Sequence, residues 1–521
     1  MKQGEFLVPP EVKDVIESLQ QAGHEAYIVG GCVRDLLRGE KPKDWDVTTS
    51  AKPEEILALF SRRPILDLDK EVGTPTEGVG AGDGAFYENK FLTVTVKTGS
   101  DDPSLAEIEI TTFRAEGKYT DKRHPDEIRF AKTLEEDLSR RDFTVNAMAL
   151  DLGRLDFRWK SNLQIVDPFG GQGDIEKKLI RAVGDAEKRF DEDALRMMRA
   201  VRLAAELEFK IEEATAAAIR KLSGALQFIA KERIRDELIK IIGSPRARSG
   251  IESLHELGLL KYIISEVEQG IGVENRPKIF TVWEHNLKAL EYGAKVRFAW
   301  DVRLAALLHD VAKPATKGPE KNGEWTFYGH DVVGGRMAAR ILERLHFPRE
   351  IVEKVAKLIR WHLFKYDPNE GITDSSIRRL IRRVGAEHMS DLVKVRICDR
   401  MGMGVPKAVP YRLRHFQFRV EKILREEEAP IPKMLKINGD DVMKILGIPP
   451  GSKVGHVLEV LLQEVMDDPA KNNREYLESR IADLGKLPDE ELVKIAEASE
   501  SKIELAEDER ISSIKAKYYV K

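Results

Sequence analysis

The sequence predicts an α+β chain, in which a mixed N-terminal sheet flanked by helices is followed by an all-α remainder. Short apolar runs with strand-like alternation recur up to about residue 166 and then fade. From Asp174 onward the apolar spacing is helical and is punctuated by Gly and Pro. At 521 residues the chain is also too long for one hydrophobic core, so three or four domains or subdomains are expected.

The elements follow in order. Residues 11–22 read as a helix, with Val12, Val15, Ile16 and Leu19 on one face. Ala26–Val29 is a short apolar strand running into Gly30-Gly31, and VRDLL begins a helix after it. Asp46–Thr49 reads as the second strand, Phe91–Val96 as the third and Ile108–Thr112 as the fourth. Between the second and third lies a glycine-rich stretch, Gly73–Gly84. It has no GK[ST] and leads into a strand rather than a helix, so it reads as a loop and not as a phosphate-binding turn. The charged tail from about residue 486 is expected to form a solvated or partly frayed helical end.

Composition narrows the classes. Hydrophobic residues make up 42% and charged residues 33%, as in a globular protein with a highly charged surface. The net charge of −4 neither requires nor forbids nucleic acid, so any RNA site must be a local basic patch. Two cysteines, Cys32 and Cys398, are too few for a disulfide framework. The N-terminus has no apolar signal core, and no apolar run approaches a membrane span. These readings predict a cytoplasmic protein with no membrane partner.

The strongest local feature runs from Tyr27 to Thr49, YIVGGCVRDLLRG followed by KPKDWDVTT. Glycines between a strand and a helix let backbone approach a phosphate, and N–H groups at a helix start favour an anion. Gly31 and Arg34 are therefore candidate triphosphate contacts. Strand alternation places Asp44 and Asp46 on one face and Trp45 on the other. Two hard oxygen ligands on a rigid strand suit Mg²⁺ ions that bridge protein to nucleotide phosphates.

With these residues the sequence resembles the polymerase-beta-like nucleotidyltransferases, in particular the bacterial-type (class II) CCA-adding enzyme and poly(A) polymerase group. The resemblance implies a nucleotidyltransferase palm that adds nucleotides to an RNA 3′ end by two-metal phosphoryl transfer. It also implies a third carboxylate on a neighbouring strand, for which Glu109 in EIEITTFR is the candidate. The segment SRRDFTVNA resembles another family motif and assigns Arg141 to the bound nucleotide. Arg114, Lys118, Lys122, Arg123 and His124 form a basic arc before it. The turn Asp167–Gly171 with Asp174 is read as structural.

Further on, Glu192–Arg202 (EDALRMMRAVR) reads as one unbroken helix. Asp193 and Arg196, three apart, are expected as neighbours on one face, with Arg199 and Arg202 continuing the stripe. A carboxylate beside a guanidinium offers acceptors and donors in fixed geometry, as a complementary base edge does. The resemblance makes this helix a protein template that selects C and then A. Lys231–Arg235 resembles the last core motif, read as helix-stabilising.

A second constellation, His285, His309-Asp310, His330, His362 and Asp399, has the order found in the HD phosphohydrolase superfamily. Imidazole and carboxylate ligands suit a divalent ion that activates water for phosphoester hydrolysis, its identity left open. His285, His309, Asp310 and Asp399 are expected to form a primary site, with His330 and His362 available to a second ion.

The expected division is a palm over 1–150, a nucleotide-selecting neck over 151–245 and a helical linker over 246–278. An HD domain over 279–410 and a helical C-terminal region over 411–521 follow. In the last, Arg412, Arg414 and Arg419 are candidate tRNA-body contacts. The expected partners are tRNA, CTP and ATP. Poly(A) addition and addition of only CC or only A share the same motifs and remain alternatives. A different class, an HD phosphohydrolase with a non-catalytic RNA-binding N-terminal half, is disfavoured by the intact Asp44 and Asp46.

Overall fold

The computed structural model describes residues 8–60, 85–88, 93–116, 128–153, 164–276, 279–404, 409–428 and 435–520. The glycine-rich stretch 73–84 lies outside them, as do Lys118, Lys122, Arg123 and His124 of the basic arc. The chain divides into two compact units, Met1–Ala356 and Lys357–Lys521. Among the described residues, no helix is long and apolar enough to cross a membrane.

The first unit opens with a helix, Pro10–Gln21, that buries Val12, Val15, Ile16 and Leu19. The strands of its N-terminal part are β1 (Ala26–Val29), β2 (Asp46–Thr49), β3 (Ala85–Glu88), β4 (Thr93–Lys97), β5 (Glu107–Thr112), β6 (Arg114–Glu116), β7 (Ile128–Phe130), β8 (Ala149–Asp151) and β9 (Gln164–Val166). Seven of them form a mixed sheet in the order β3-β4-β5-β2-β1-β8-β9, while β6 and β7 form a separate ribbon. The four expected strands are present, the third beginning at Thr93. The sheet does not stop at residue 150: β9 pairs antiparallel with β8, Leu150 opposite Ile165. Residue 150, the expected end of the palm, thus lies within the sheet.

Within the sheet β2 and β5 run parallel while β1 and β2 run antiparallel. Parallel pairing puts the N-terminal ends of β2 and β5 at the same edge, which is where the acidic residues lie. Ile28, Val47, Ile108 and Ile110 fill the core beneath.

Helices then predominate, but the expected all-α remainder is only largely helical: Leu179–Ile180 pairs in parallel with Lys210–Ile211, and Gly318–Lys321 antiparallel with Glu324–Thr326. Ala186–Glu192, Leu195–Leu207, Glu213–Leu222, Lys231–Gly243 and Ala247–Glu256 form a helical neck. Leu195–Leu207 buries Met197, Met198, Ala200, Val201 and Leu203, so its arginines occupy the opposite face. Val282–Lys295 starts on a capping box between Thr281 and Glu284. Trp300–Leu308 follows, and Arg303 on it caps a neighbour: its Nη1 donates to the carbonyls of Ile242, Gly243 and Ser244 at the end of Lys231–Gly243.

Among its described residues, every secondary-structure element of the second unit is a helix. The charged tail is not frayed: it forms the helix Asp489–Tyr518, held near both ends. Leu492 and Ala496 join a core with Val457, Leu461, Leu477 and Ile481. Ile514 and Val520 pack on Phe418. A few well-spaced apolar residues dock a helix that composition alone marks as solvated.

Candidate active site and metal centre

Gly30 and the DWD strand are built against each other. Gly30 has φ +85°, and a Cβ there would sit 3.1 Å from both Asp46 Oδ2 and Arg141 Nη1. Only glycine admits the turn and the two side chains together. Trp45 is buried at 3% exposure while Asp44 faces solvent and Asp46 is half-buried, in the expected order, although the strand itself begins only at Asp46. Glu109 lies directly opposite Asp46 in the parallel ladder, which brings the three expected carboxylates to one edge.

Electrostatics there reflect crowding. Burial pushes the Asp46 carboxyl up to about 6; Arg141 opposes the shift, and Asp44 and Glu109 add to it. Cys32, buried behind this edge, donates its thiol to the Val29 carbonyl, and burial pushes it up to about 12. That thiol is protonated and takes no part in nucleophilic chemistry at neutral pH.

The cationic side is positioned by buried carboxylates. Asp137, fully buried, accepts from Arg140 at 2.9 Å and pairs with Arg141 at 3.5 Å. Arg34 donates to Asn146 Oδ1 at 2.6 Å and to Asp35 at 2.9 Å. Asp142 binds Arg199 at 2.7 Å. Burial alone would raise Asp142, but the charges of Arg199 and Arg196 and the hydrogen bonds hold it at about 2. The Asp167 turn is structural as expected: its carboxylate accepts from the Gly171 and Gln172 N–H groups, and Asp174 accepts from Thr144.

The expected unbroken helix 192–202 is not observed. Ala186–Glu192 ends at Asp193 (φ −144°, ψ 103°), and a new helix begins at Leu195. Asp193 Oδ1 accepts the Leu195 N–H at 3.1 Å, the role of an N-capping aspartate. Its side chain does not pair with Arg196 but with Arg233, at 2.7 Å. Arg196 pairs with Glu192 at 2.8 Å, and Arg202 with buried Glu237 at 2.9 Å.

One cavity of about 1050 Å³ joins these groups. Gly30, Gly31, Arg34, Asp44, Asp46, Glu109 and Arg141 line it, together with Asp193, Arg196, Arg199 and Arg202. All ten residues expected at the nucleotide site thus face one space, somewhat larger than the roughly 300–1,000 Å³ of ordinary small-ligand pockets. Asp142 and Arg233 also line it and were missed. The i,i+4 spacing of Asp137 and Arg141 was a readable signal for the hub at Asp137; nothing local marks Arg233 as a partner for Asp193.

Of the six HD-type residues, the first unit brings four together. His285 and His309 face each other with Nε2 atoms 2.9 Å apart. Asp310 reaches His285 at 3.3 Å, His309 at 3.4 Å and His330 at 3.3 Å. His309 Nδ1 faces the Ala306 carbonyl at 2.7 Å, and His330 Nδ1 faces Phe327 at 2.6 Å. A carbonyl can only accept, so Nδ1 carries a proton in each ring and Nε2 is the atom turned toward Asp310. Lys313 binds Asp310 at 2.6 Å and Asn275 at 2.7 Å. Burial opposes ionisation of Asp310, yet His309 and Lys313 hold it well below the usual carboxylate range. Buried, oriented imidazoles around an ionised carboxylate are a donor set that fits a divalent cation.

His362 and Asp399 belong to the second unit, where both are buried. His362 repeats the device, its Nδ1 facing the Ile359 carbonyl at 2.7 Å, and Asp399 pairs with Arg396 at 2.6 Å.

Known proteins match along most of the chain. The poly A polymerase head domain family matches residues 26–181, the probable RNA and SrmB-binding site of polymerase A 208–271, and the HD domain 282–401, a span that includes all six residues above. A CCA-adding enzyme from Geobacillus thermodenitrificans is 30% identical over 471 residues, covering 89% of this chain and 94% of that protein. An A-adding tRNA nucleotidyltransferase from Deinococcus radiodurans is 32% identical, covering 84% and 91%. Among solved structures, the Bacillus stearothermophilus CCA-adding enzyme in complex with CTP matches at 28% identity and TM-score 0.54, covering 91% of this chain and 98% of that one. The alignments span nearly the whole length of these relatives, and the chain belongs to the class II CCA-adding enzymes of the poly(A) polymerase family, with an HD domain.

Proposed function

We propose that this protein adds C, C and A to the 3′ end of tRNA from CTP and ATP, without a nucleic-acid template. The observation that carries the reading is that one cavity is lined both by the carboxylates and by the neck arginines. Family membership implies a divalent metal at the carboxylate edge; we take it to be Mg²⁺, held by Asp44, Asp46 and Glu109. When bound, it supplies activation of the RNA hydroxyl and charge stabilisation of the leaving pyrophosphate. Gly31, Arg34 and Arg141 bind the triphosphate. Asp193 and Arg196 present acceptor and donors to the base edge, and Arg199 and Arg202 hold that face through Asp142 and Glu237.

The head, neck, linker, HD and C-terminal segments outlined from sequence serve these roles, with the head extended through β9. In the HD segment, His285, His309, Asp310 and Asp399 hold a divalent ion for phosphoester hydrolysis, with His330 and His362 available to a second ion. The protein works in the cytoplasm, where its tRNA substrate matures.

A second reading is addition of A alone, favoured by the 32% identity to the A-adding relative. One assay separates the two. The protein is incubated with Mg²⁺ and tRNAs ending before, within or after CCA, with CTP and ATP singly and together. Two C and one A followed by a stop supports the proposal. A single A, only on tRNA already ending in CC, supports the second reading. A long A tail makes the protein a poly(A) polymerase, and no incorporation overturns both readings.

A further inference from the structure

Arg412, Arg414 and Arg419, the sequence candidates for contacting the tRNA body, are engaged internally: Arg412 pairs with Asp367 at 2.8 Å, Arg414 donates to the Tyr519 carbonyl, and Arg419 binds Asp374 and the Ile372 carbonyl. Those pairs have a consequence for the helix Asp374–Val384. Between Lys357 and Arg383 the sequence carries seven Lys and Arg against three carboxylates, Asp367, Glu370 and Asp374. Two of the three are taken by Arg412 and Arg419. Local positive charge is left in a protein of net charge −4.

The helix concentrates it. Ile377, Ile381 and Val384 are buried, and Arg379, Arg382 and Arg383 are exposed on another face at i, i+3 and i+4. Among the described residues no carboxylate pairs with these three. Arg379 donates to Ser376 on its own helix, and Arg383 lies over the Trp361 ring at 5.1 Å, with Arg360 at 4.4 Å from the same ring. Like charges so close repel unless an anion covers them, and exposed guanidiniums with a half-buried indole suit phosphates beside nucleotide faces.

We propose that Arg379, Arg382 and Arg383, with Trp361, form a docking surface for the phosphate backbone of the tRNA substrate. The surface lies outside the cavity and contributes grip rather than chemistry. It rests on the tRNA reading above.

The test uses the full chain as the triple variant Arg379→Gln/Arg382→Gln/Arg383→Gln. All three side chains are exposed, and an unchanged thermal transition verifies the fold. Binding of tRNA lacking CCA is titrated by fluorescence anisotropy across a salt series. The variant is expected to bind at least about tenfold more weakly, and the slope of log affinity against log salt to fall by about two to three. In addition assays KM for tRNA rises while KM for CTP and kcat at saturating tRNA hold. Equal tRNA affinity and salt slope in variant and wild type overturn the surface. So does displacement of bound tRNA by polyglutamate as effective as by unlabelled tRNA, which would assign the patch to an acidic protein. If wild type adds no nucleotides, the functional reading fails, and the binding arm still decides the surface.

Discussion

Asp193 and Arg233 form an ion pair at 2.7 Å that ties a break between two helices to the first turns of a third. The carboxylate is thereby aimed into the cavity without leaning on Arg196, which Glu192 holds at 2.8 Å. The two groups read as a base-recognising pair are thus fixed by separate partners, and each can meet a base edge without first breaking a bond to the other.

Arg233→Ala should therefore weaken nucleotide selection. It removes a charge-assisted pair, the loss of which costs about 1.5–3 kcal/mol. We expect kcat/KM for CTP to fall about tenfold to a hundredfold, with discrimination against UTP falling as well. Competition kinetics with CTP and UTP check this, and unchanged discrimination would leave Arg233 a stability residue only.

Much of this site was legible in the sequence, for definable reasons. The exposed, buried, half-buried order of Asp44, Trp45 and Asp46 follows the expected alternation over three residues, although β2 itself begins only at Asp46. Glu109 came from resemblance, since no local rule joins positions 46 and 109; the parallel register pairs them. The helix break was illegible because EDALRMM consists of residues that tolerate or favour helix. What ends the helix is capture of Asp193 by Arg233, forty positions away, together with its cap on Leu195. The histidine orientations escaped for a similar reason: each depends on a carbonyl three residues back, in a local turn that sequence periodicity does not mark.

Asp142 should give the protein an acid-sensitive step. Its folded value of about 2 lies below the ordinary 3.8, so its contribution is present above about pH 4 and is lost as pH falls toward 2. The shift corresponds to about 2 kcal/mol at neutral pH. Asp142→Asn should lower the thermal midpoint at pH 7 and converge on wild type near pH 2, as calorimetry across that range would show.

Gly30→Ala should be more damaging than its one methyl suggests. A φ of +85° strains any L side chain, and the new Cβ would press on Asp46 and Arg141 at 3.1 Å. We expect a stability loss of about 1–3 kcal/mol and a disproportionate loss of nucleotide addition, measured on protein held well below its midpoint.

The HD centre should bind metal independently of the palm. Added Mn²⁺ should raise the thermal midpoint of chelator-treated protein, and His309→Ala should lose much of that shift while CCA addition persists. An undiminished shift in His309→Ala would remove the assignment of His309 as a ligand.

The most direct test of the central claim is nucleotide addition by Asp46→Ala on tRNA lacking CCA, with Mg²⁺, CTP and ATP, beside hydrolysis of a generic phosphodiester. The account predicts addition lost by about a thousandfold or more, with Mn²⁺ binding at the HD centre and any hydrolysis by wild type retained. Addition at a rate near wild type would contradict it.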